Sequence, residues 1–149
     1  MDMAVEQDLS RVATRLSSDY FFRALGLISS LHGGDITAAI IWQAIVTANT
    51  AHLDAGDYRG SEASPPDDLR RPVSVLSLSQ SLGMPFETTR RYVNRMIAAG
   101  RCERVRGGVV VPASVLNDER TQAARLENLG YLRRLGREML RAGIIKPGC

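Results

Sequence analysis

Apolar residues repeat at helical spacing through the first third of the chain. Steps of four, three and four residues predict a first amphipathic helix over about 3–16. Its apolar positions are Val5, Leu9, Val12 and Leu16. The run Ser17-Ser18-Asp19 consists of helix-capping residue types, so we expect a second helix to begin there and to end at Gly33-Gly34. Its apolar positions are Phe21, Leu25, Ile28 and Leu31.

A third helix is predicted from Ile36 to Leu53, with Asp35 as its cap, and it is apolar around most of its circumference. Helices of this kind are buried, either in a core or between two subunits. A membrane span needs about 20 apolar residues, and polar side chains interrupt this run, so a span is not expected. The interrupting residues are Thr37, Gln43, Thr47, Asn49, Thr50 and His52.

Residues 55–71 are rich in Gly, Ser, Pro and Asp without an apolar period, which predicts a mobile linker and a domain boundary. The chain then divides into an N-terminal helical segment (1–54), this linker, a compact domain (72–115) and a C-terminal helical segment (116–149). A last helix from about Asn117 to Arg141 is predicted, with Gly143 ending it. Its apolar stripe is Leu126, Leu129, Leu132, Leu135 and Met139.

The compact domain has the pattern of two short helices followed by a β-hairpin. Val73–Val75 predicts a short edge strand, and a helical stripe of leucines then stops at Gly83. Met84-Pro85 opens a second helix over 86–99, with proline near the first helical position. Two short helices joined by a glycine turn are typical of a helix-turn-helix. Residues 102–111 predict a hairpin wing around Arg106-Gly107-Gly108, where the glycines give flexibility or simply satisfy turn geometry.

Helical geometry at 100° per residue divides helix 86–99 into two faces. With Val93 at the centre of the inner face, the outer face is polar and cationic. The candidate DNA-binding residues on this helix and its wing are Glu87, Thr88, Arg90, Arg91, Asn94, Arg95, Arg104 and Arg106. Arginine binds guanine or phosphate with two parallel hydrogen bonds, which favours a nucleic-acid contact. The alternative is a charged helix face that is simply exposed to solvent, in which Glu87 pairs with Arg91.

The spacing of this segment resembles the winged-helix transcriptional regulators, most closely a GntR-like pattern. The matching positions are Leu82-Gly83-Met84, Thr88, Arg90-Arg91, Met96 and Gly100. The resemblance covers about 41 residues, and the long flanking helices are more similar to the MarR arrangement, although the MarR Asp-x-Arg wing motif is missing. It implies a mainly α fold, in which a winged helix-turn-helix with a three-helix core and a small β-hairpin wing is flanked by additional N- and C-terminal helices.

The charge of the chain is divided in a way that favours a polyanion-binding half. The net charge is +3, but residues 1–69 carry four basic and ten acidic residues, whereas residues 70–149 carry 15 basic and six acidic residues. The two cysteines and two histidines have no metal-ligand spacing, and no catalytic constellation is found, so neither an enzyme nor a cofactor is expected. An acidic N-terminus without a signal-length apolar run predicts a cytoplasmic location.

The sequence therefore predicts a sequence-specific regulator that binds double-stranded DNA as a homodimer through helix 86–99 and the hairpin. Two copies double the contacts that a single recognition helix makes, and the flanking helices are expected to provide the dimer interface. The alternative is a winged-helix adaptor that binds proteins and never DNA. Whether a small effector is sensed stays open.

Overall fold

The computed structural model describes residues 2–54 and 67–148, and it is mainly helical with one small hairpin. The helices are α1 (Met3–Ser30), α2 (Ile36–Thr50), α3 (Val75–Leu82), α4 (Phe86–Ala98), α5 (Ala113–Leu116) and α6 (Glu119–Arg141), with a short 3-10 helix at Asp67–Leu69. The strands β1 (Glu103–Val105) and β2 (Gly108–Val110) pair antiparallel. No helix within the two described ranges combines the length and apolar character needed to cross a membrane.

The first two predicted helices are a single helix, so the predicted break at Ser17-Ser18-Asp19 is wrong. Asp2 caps α1 by accepting a hydrogen bond from the Ala4 amide, and the helix then runs for 28 residues. The Ser17 hydroxyl donates to the Thr14 carbonyl (3.1 Å), and Asp19 pairs with Arg23 (3.1 Å). Capping residue types are compatible with a helix interior when their side chains find partners one turn away, as they do here.

The predicted third helix is confirmed as α2, but it buries one face rather than its whole circumference. Asp35 caps it by accepting from the Ala38 amide at 3.0 Å. Ile41, Trp42 and Ile45 enter a core that also contains apolar side chains from α3, α4, α5 and the hairpin. These other side chains are Leu78, Val93, Met96, Cys102, Val109, Val111 and Leu116. The packing therefore joins α2 to the segment 72–115 across the boundary that composition suggested.

The turn between α3 and α4 follows the predicted glycine signal. Gly83 has φ +62°, the left-handed conformation that ends helices, and the next amide, of Met84, donates to the Ser79 carbonyl (3.0 Å). The predicted strand Val73–Val75 is wrong in extent, because Val75 already begins α3 behind the capping Ser74. Val73 alone pairs with Val109, through two backbone hydrogen bonds of 2.9 and 3.1 Å.

The predicted hairpin is confirmed within 102–111, with Arg106-Gly107 as its two-residue turn. Gly107 has φ +94°, which favours glycine. At Gly108 a Cβ atom would lie 2.2 Å from the Val73 carbonyl oxygen, so the backbones of β2 and of Val73 approach too closely for any side chain. The two glycines therefore satisfy local geometry and hold the hairpin against the domain.

A buried amide joins α2 to the hairpin. The Asn49 side chain is fully buried, and its Nδ2 group donates to the Arg71 carbonyl (2.7 Å) and to the Val109 carbonyl (3.1 Å). Its Oδ1 atom accepts from the Val111 amide at 2.9 Å. The Asn49 amide therefore exchanges most of its hydrogen bonds with water for hydrogen bonds within the protein.

The C-terminal helix α6 begins at Glu119, two residues later than predicted, with Asp118 as its cap. It continues through Gly130 and Gly136 and ends in a Schellman motif, in which the Ile144 amide donates to the Met139 carbonyl (3.0 Å). Helix α1 packs against both α6 and α2, and the Tyr20 hydroxyl donates to Asn128 Oδ1 at 2.9 Å.

The predicted mobile linker falls mostly on residues 55–66, which lie outside the described residues. The end of that segment is held in place. Asp67 Oδ1 accepts from the Ala113 amide (2.8 Å), the side chain of Arg70 is buried, and the Arg71 amide donates to the Asn49 carbonyl (3.0 Å).

Candidate nucleic-acid interface

Helix α4 presents a polar face to solvent because its apolar face is anchored in the core. Thr89, Val93 and Met96 are buried as predicted, and the Thr89 hydroxyl donates to the Pro85 carbonyl at 3.0 Å. Of the predicted outer-face residues, Glu87, Arg91 and Arg95 are exposed, while Thr88 and Asn94 are half-buried. Arg90, which the helical geometry places to one side of the inner face, is exposed as well. The sequence pattern therefore identified the orientation of α4 about its axis.

Glu87 pairs with Arg90 rather than with Arg91, the partner that the sequence suggested. The Arg90 Nε atom donates to Glu87 Oε2 at 2.9 Å, and a second bond joins Nη2 to Oε1. This hydrogen bonding lowers the pKa of the Glu87 carboxyl, even though the group is exposed. A pair three residues apart on one face of a helix satisfies both side chains, so their charges largely cancel.

Arg91 is left with its whole guanidinium group available. Its side chain forms neither a hydrogen bond nor an ion pair with any residue of 2–54 or 67–148, and it is exposed next to the Glu87–Arg90 pair. A planar guanidinium with five donors and no internal partner is suited to bidentate binding of a base edge or a phosphate.

Arg95 lies one turn later, stacked on an aromatic ring of its own helix. Its Cζ atom is 4.3 Å from the centre of the Tyr92 ring. A guanidinium over an aromatic face keeps its in-plane donors accessible, because the ring contacts only one of its flat faces. The stacking therefore orients Arg95 without occupying its hydrogen-bonding edge.

The hairpin and α4 are connected by a hydrogen bond between two of the candidate residues. Arg104 of β1 donates from Nη2 to Asn94 Oδ1 at 2.8 Å. Arg106 is exposed at the hairpin turn. The eight candidate residues thus lie on α4 and on the adjoining hairpin, and the Arg104–Asn94 bond joins these two elements.

A second polar cluster beside α4 was not predicted from the sequence. Trp42 donates from Nε1 to the Arg101 carbonyl (3.2 Å), and its ring lies 5.3 Å both from the His32 ring and from the Arg101 Cζ atom. Burial, followed by the charge of Arg101, lowers the pKa of His32, so the ring is neutral near pH 7. Arg101 also pairs with Asp118 at 3.2 Å. These four residues are far apart in the sequence, and no local pattern connects them.

Cys102 is buried beneath α4. Burial raises the pKa of its thiol to about 11, so it stays protonated near neutral pH and is a poor nucleophile. Across residues 2–54 and 67–148, no cluster of three or more His, Cys, Asp or Glu side chains is arranged to hold a metal ion.

Comparison of the chain with protein-family models, with curated proteins and with solved structures found no match in any of the three.

Proposed function

We propose that the chain is a sequence-specific DNA-binding transcriptional regulator whose α2, α3, α4 and hairpin form a winged helix-turn-helix. In this arrangement α4 enters the major groove as the recognition helix, and the hairpin is the wing. The observation that carries the proposal is the outward face of α4, where Arg91 is unpaired among the described residues and lies next to the further arginine Arg95.

The charge distribution supports a nucleic acid over a protein as the partner of this face. Basic residues outnumber acidic residues by nine in 70–149, the half of the chain that contains α4 and the hairpin. Arginine side chains bind phosphates and release counterions from DNA, which provides most of the sequence-independent affinity. An apolar outer face on α4 would instead have favoured a protein ligand.

Arg106 is the proposed wing contact. It is exposed at the turn of a hairpin that Gly108 holds against the backbone of Val73. A guanidinium at a hairpin tip can reach the phosphate backbone or a narrow minor groove, where the negative potential attracts arginine. In this proposal Arg106 adds affinity and Arg91 adds sequence preference.

Selection of genomic DNA fragments with the purified full chain tests the proposal. We expect enrichment of fragments that share a short two-fold symmetric sequence, because two copies of α4 would contact two equivalent half-sites. Enrichment of fragments without a common sequence would contradict sequence-specific recognition. A failure to retain any fragment at low salt would favour the adaptor alternative.

The proposed regulator is a homodimer that associates through the helices outside the recognition unit. Large apolar side chains are exposed on α1 and α6, and exposing them is unfavourable in a monomer. They include Phe21, Phe22, Leu126, Leu129, Leu132 and Leu140. Pairing of a second copy through these helices buries this surface and leaves the polar face of each α4 accessible.

Sedimentation equilibrium of the wild-type chain should therefore give twice its mass of 16.3 kDa at micromolar concentration. Phe22→Glu and Leu126→Glu should shift the chain toward monomer, because these side chains are 68% and 73% exposed and a charge there opposes association rather than folding. Ser114→Glu, at an exposed position outside α1 and α6, is the matched control. A wild-type chain that stays monomeric at high concentration would contradict the dimer.

A further inference from the structure

A pocket of about 330 Å³ lies beside the last turn of α4, and it shares Arg95 with the face proposed to contact DNA. His32 contributes to it from the turn between α1 and α2, Arg95 comes from α4, and Arg101 comes from the segment that follows α4. Leu31, Ala38 and Met96 give the pocket an apolar wall. It therefore combines an apolar surface with several nitrogen donors.

The guanidinium of Arg101 is only partly paired. Its Nη1 atom donates to Asp118 Oδ2 at 3.2 Å, whereas Nε and Nη2 are buried and have no hydrogen-bond partner among the described residues. The Nε–H group and one Nη2–H group point the same way along one edge of the guanidinium. Two parallel donors of this kind match the two oxygens of a carboxylate.

The His32 ring adds a third buried nitrogen without a partner. Its Nε2 atom is buried and unpaired among the residues described, and His32 and Arg101 line the same pocket, with the Trp42 ring 5.3 Å from the His32 ring and from the Arg101 Cζ atom. Unsatisfied buried polar atoms are rare in native proteins, because each loses its hydrogen bonds to water. Three such atoms on two neighbouring side chains indicate that a ligand normally supplies the acceptors.

The nearby acidic groups are already engaged. Asp35 caps α2 through the Ala38 amide, and Asp118 accepts from Arg101 and from the Thr121 amide. Burial raises the pKa of the Asp118 carboxyl. Hydrogen bonds from Thr121 and the charge of Arg101 outweigh that effect and hold this pKa below its usual value. Arg95, Arg101 and Asp35 all line the pocket, so its lining carries two positive charges and one negative charge.

We infer that this pocket binds a small organic carboxylate with an apolar body. The Arg101 edge and His32 Nε2 hold the carboxylate, and Leu31, Ala38 and Met96 contact the apolar part. The three nitrogens have almost no solvent-accessible surface, so neighbouring side chains move when the ligand enters. Arg95 lines the same pocket, and a bound carboxylate attracts its guanidinium away from DNA. This last, regulatory consequence rests on the proposed function, whereas binding itself does not.

The fluorescence of Trp42, the single tryptophan of the chain, reports on this pocket through His32 and Arg101, which line it and lie against the Trp42 ring. Titration of the full chain with cyclohexanecarboxylate should give a saturable change, and titration with the neutral cyclohexanecarboxamide should give none. Arg101→Lys keeps a positive charge but loses the paired donors, and it should weaken binding by about tenfold or more. Arg133→Lys, on the exposed surface of α6, should bind like the wild type.

Equal fluorescence responses of the wild-type chain to the acid and the amide, or no response to the acid, would overturn the inference. This result does not depend on whether the variants fold. Binding by a folded Arg101→Lys chain with wild-type affinity would also overturn it. At constant ionic strength, the carboxylate should lower the affinity for selected DNA severalfold, and DNA should weaken carboxylate binding by the same factor. Loss of DNA binding in every condition, with the fluorescence response intact, would instead reject the proposed function and leave the pocket assigned.

Discussion

Replacing Arg91 with alanine should weaken binding to a selected operator by about 1–3 kcal/mol, or roughly fivefold to 150-fold, and should relax sequence preference at one base position. Arg91 is exposed near the start of α4, the end that enters the major groove in helix-turn-helix proteins, and none of the described residues occupies its donors. Its loss should therefore remove the proposed base contact without breaking a hydrogen bond or ion pair among the described residues.

Arg95→Ala should behave differently, because Arg95 lies one turn further along and is stacked on Tyr92. We expect it to weaken all DNA sequences alike and to reduce the slope of log affinity against log salt by about 1, as the loss of a phosphate contact does. The measurement is the binding of each variant to the operator and to scrambled DNA across a salt series. Arg133→Ala, which removes one exposed arginine from α6, is the matched control for net charge.

Equal affinities of the wild type, Arg91→Ala and Arg95→Ala for both DNAs would reject α4 as the recognition helix. The adaptor function would then be the better explanation of the fold. A uniform loss in Arg91→Ala with no change in base preference would reassign Arg91 to the phosphate backbone.

Replacing Asn49 with alanine should lower the free energy of unfolding by about 2–4 kcal/mol, because it leaves the buried Val111 amide and the partly buried Arg71 carbonyl without their partner. The Val109 carbonyl keeps its bond from the Val73 amide and loses less. Asn49→Leu restores most of the volume but none of the hydrogen bonds, so it should be destabilised to a similar degree. Urea unfolding followed by circular dichroism measures both variants.

Thr47→Ala, at an exposed position on the same helix, is the control and should change the unfolding free energy by no more than about 0.5 kcal/mol. Wild-type stability in Asn49→Ala would show that water replaces the side-chain amide at no cost. The amide would then have no structural role between α2 and the hairpin.

Features with a local physical cause could be predicted from the sequence. The caps Asp35 and Gly83, the proline start of α4 and the hairpin turn all lie where the sequence indicated, since each depends on a few adjacent residues. The inner face of α4 was also predicted, because one buried periodic stripe determines it.

Features that depend on distant contacts could not be predicted in the same way. Asn49 is 60 residues from Val109, and its burial was hidden because a polar residue in an apolar helix was interpreted as an interruption. Steps of four from Ile41 through Ile45 to Asn49 did contain the signal, since they place all three on one face. The partner of Glu87 was missed for a different reason: Arg90 and Arg91 are both within reach by sequence spacing, and only side-chain geometry selects Arg90.

The Arg104–Asn94 hydrogen bond affects any attempt to give this protein a new target. Transplanting the outer residues of α4 alone would remove Asn94 and leave Arg104 of the hairpin without its acceptor. Arg104 is paired in register with Val109, so this hydrogen bond connects α4 to a hairpin that also contacts Val73 and Asn49. In the proposed regulator, α4 and the hairpin should therefore be exchanged together, and a library designed to change DNA specificity should vary positions 94 and 104 together.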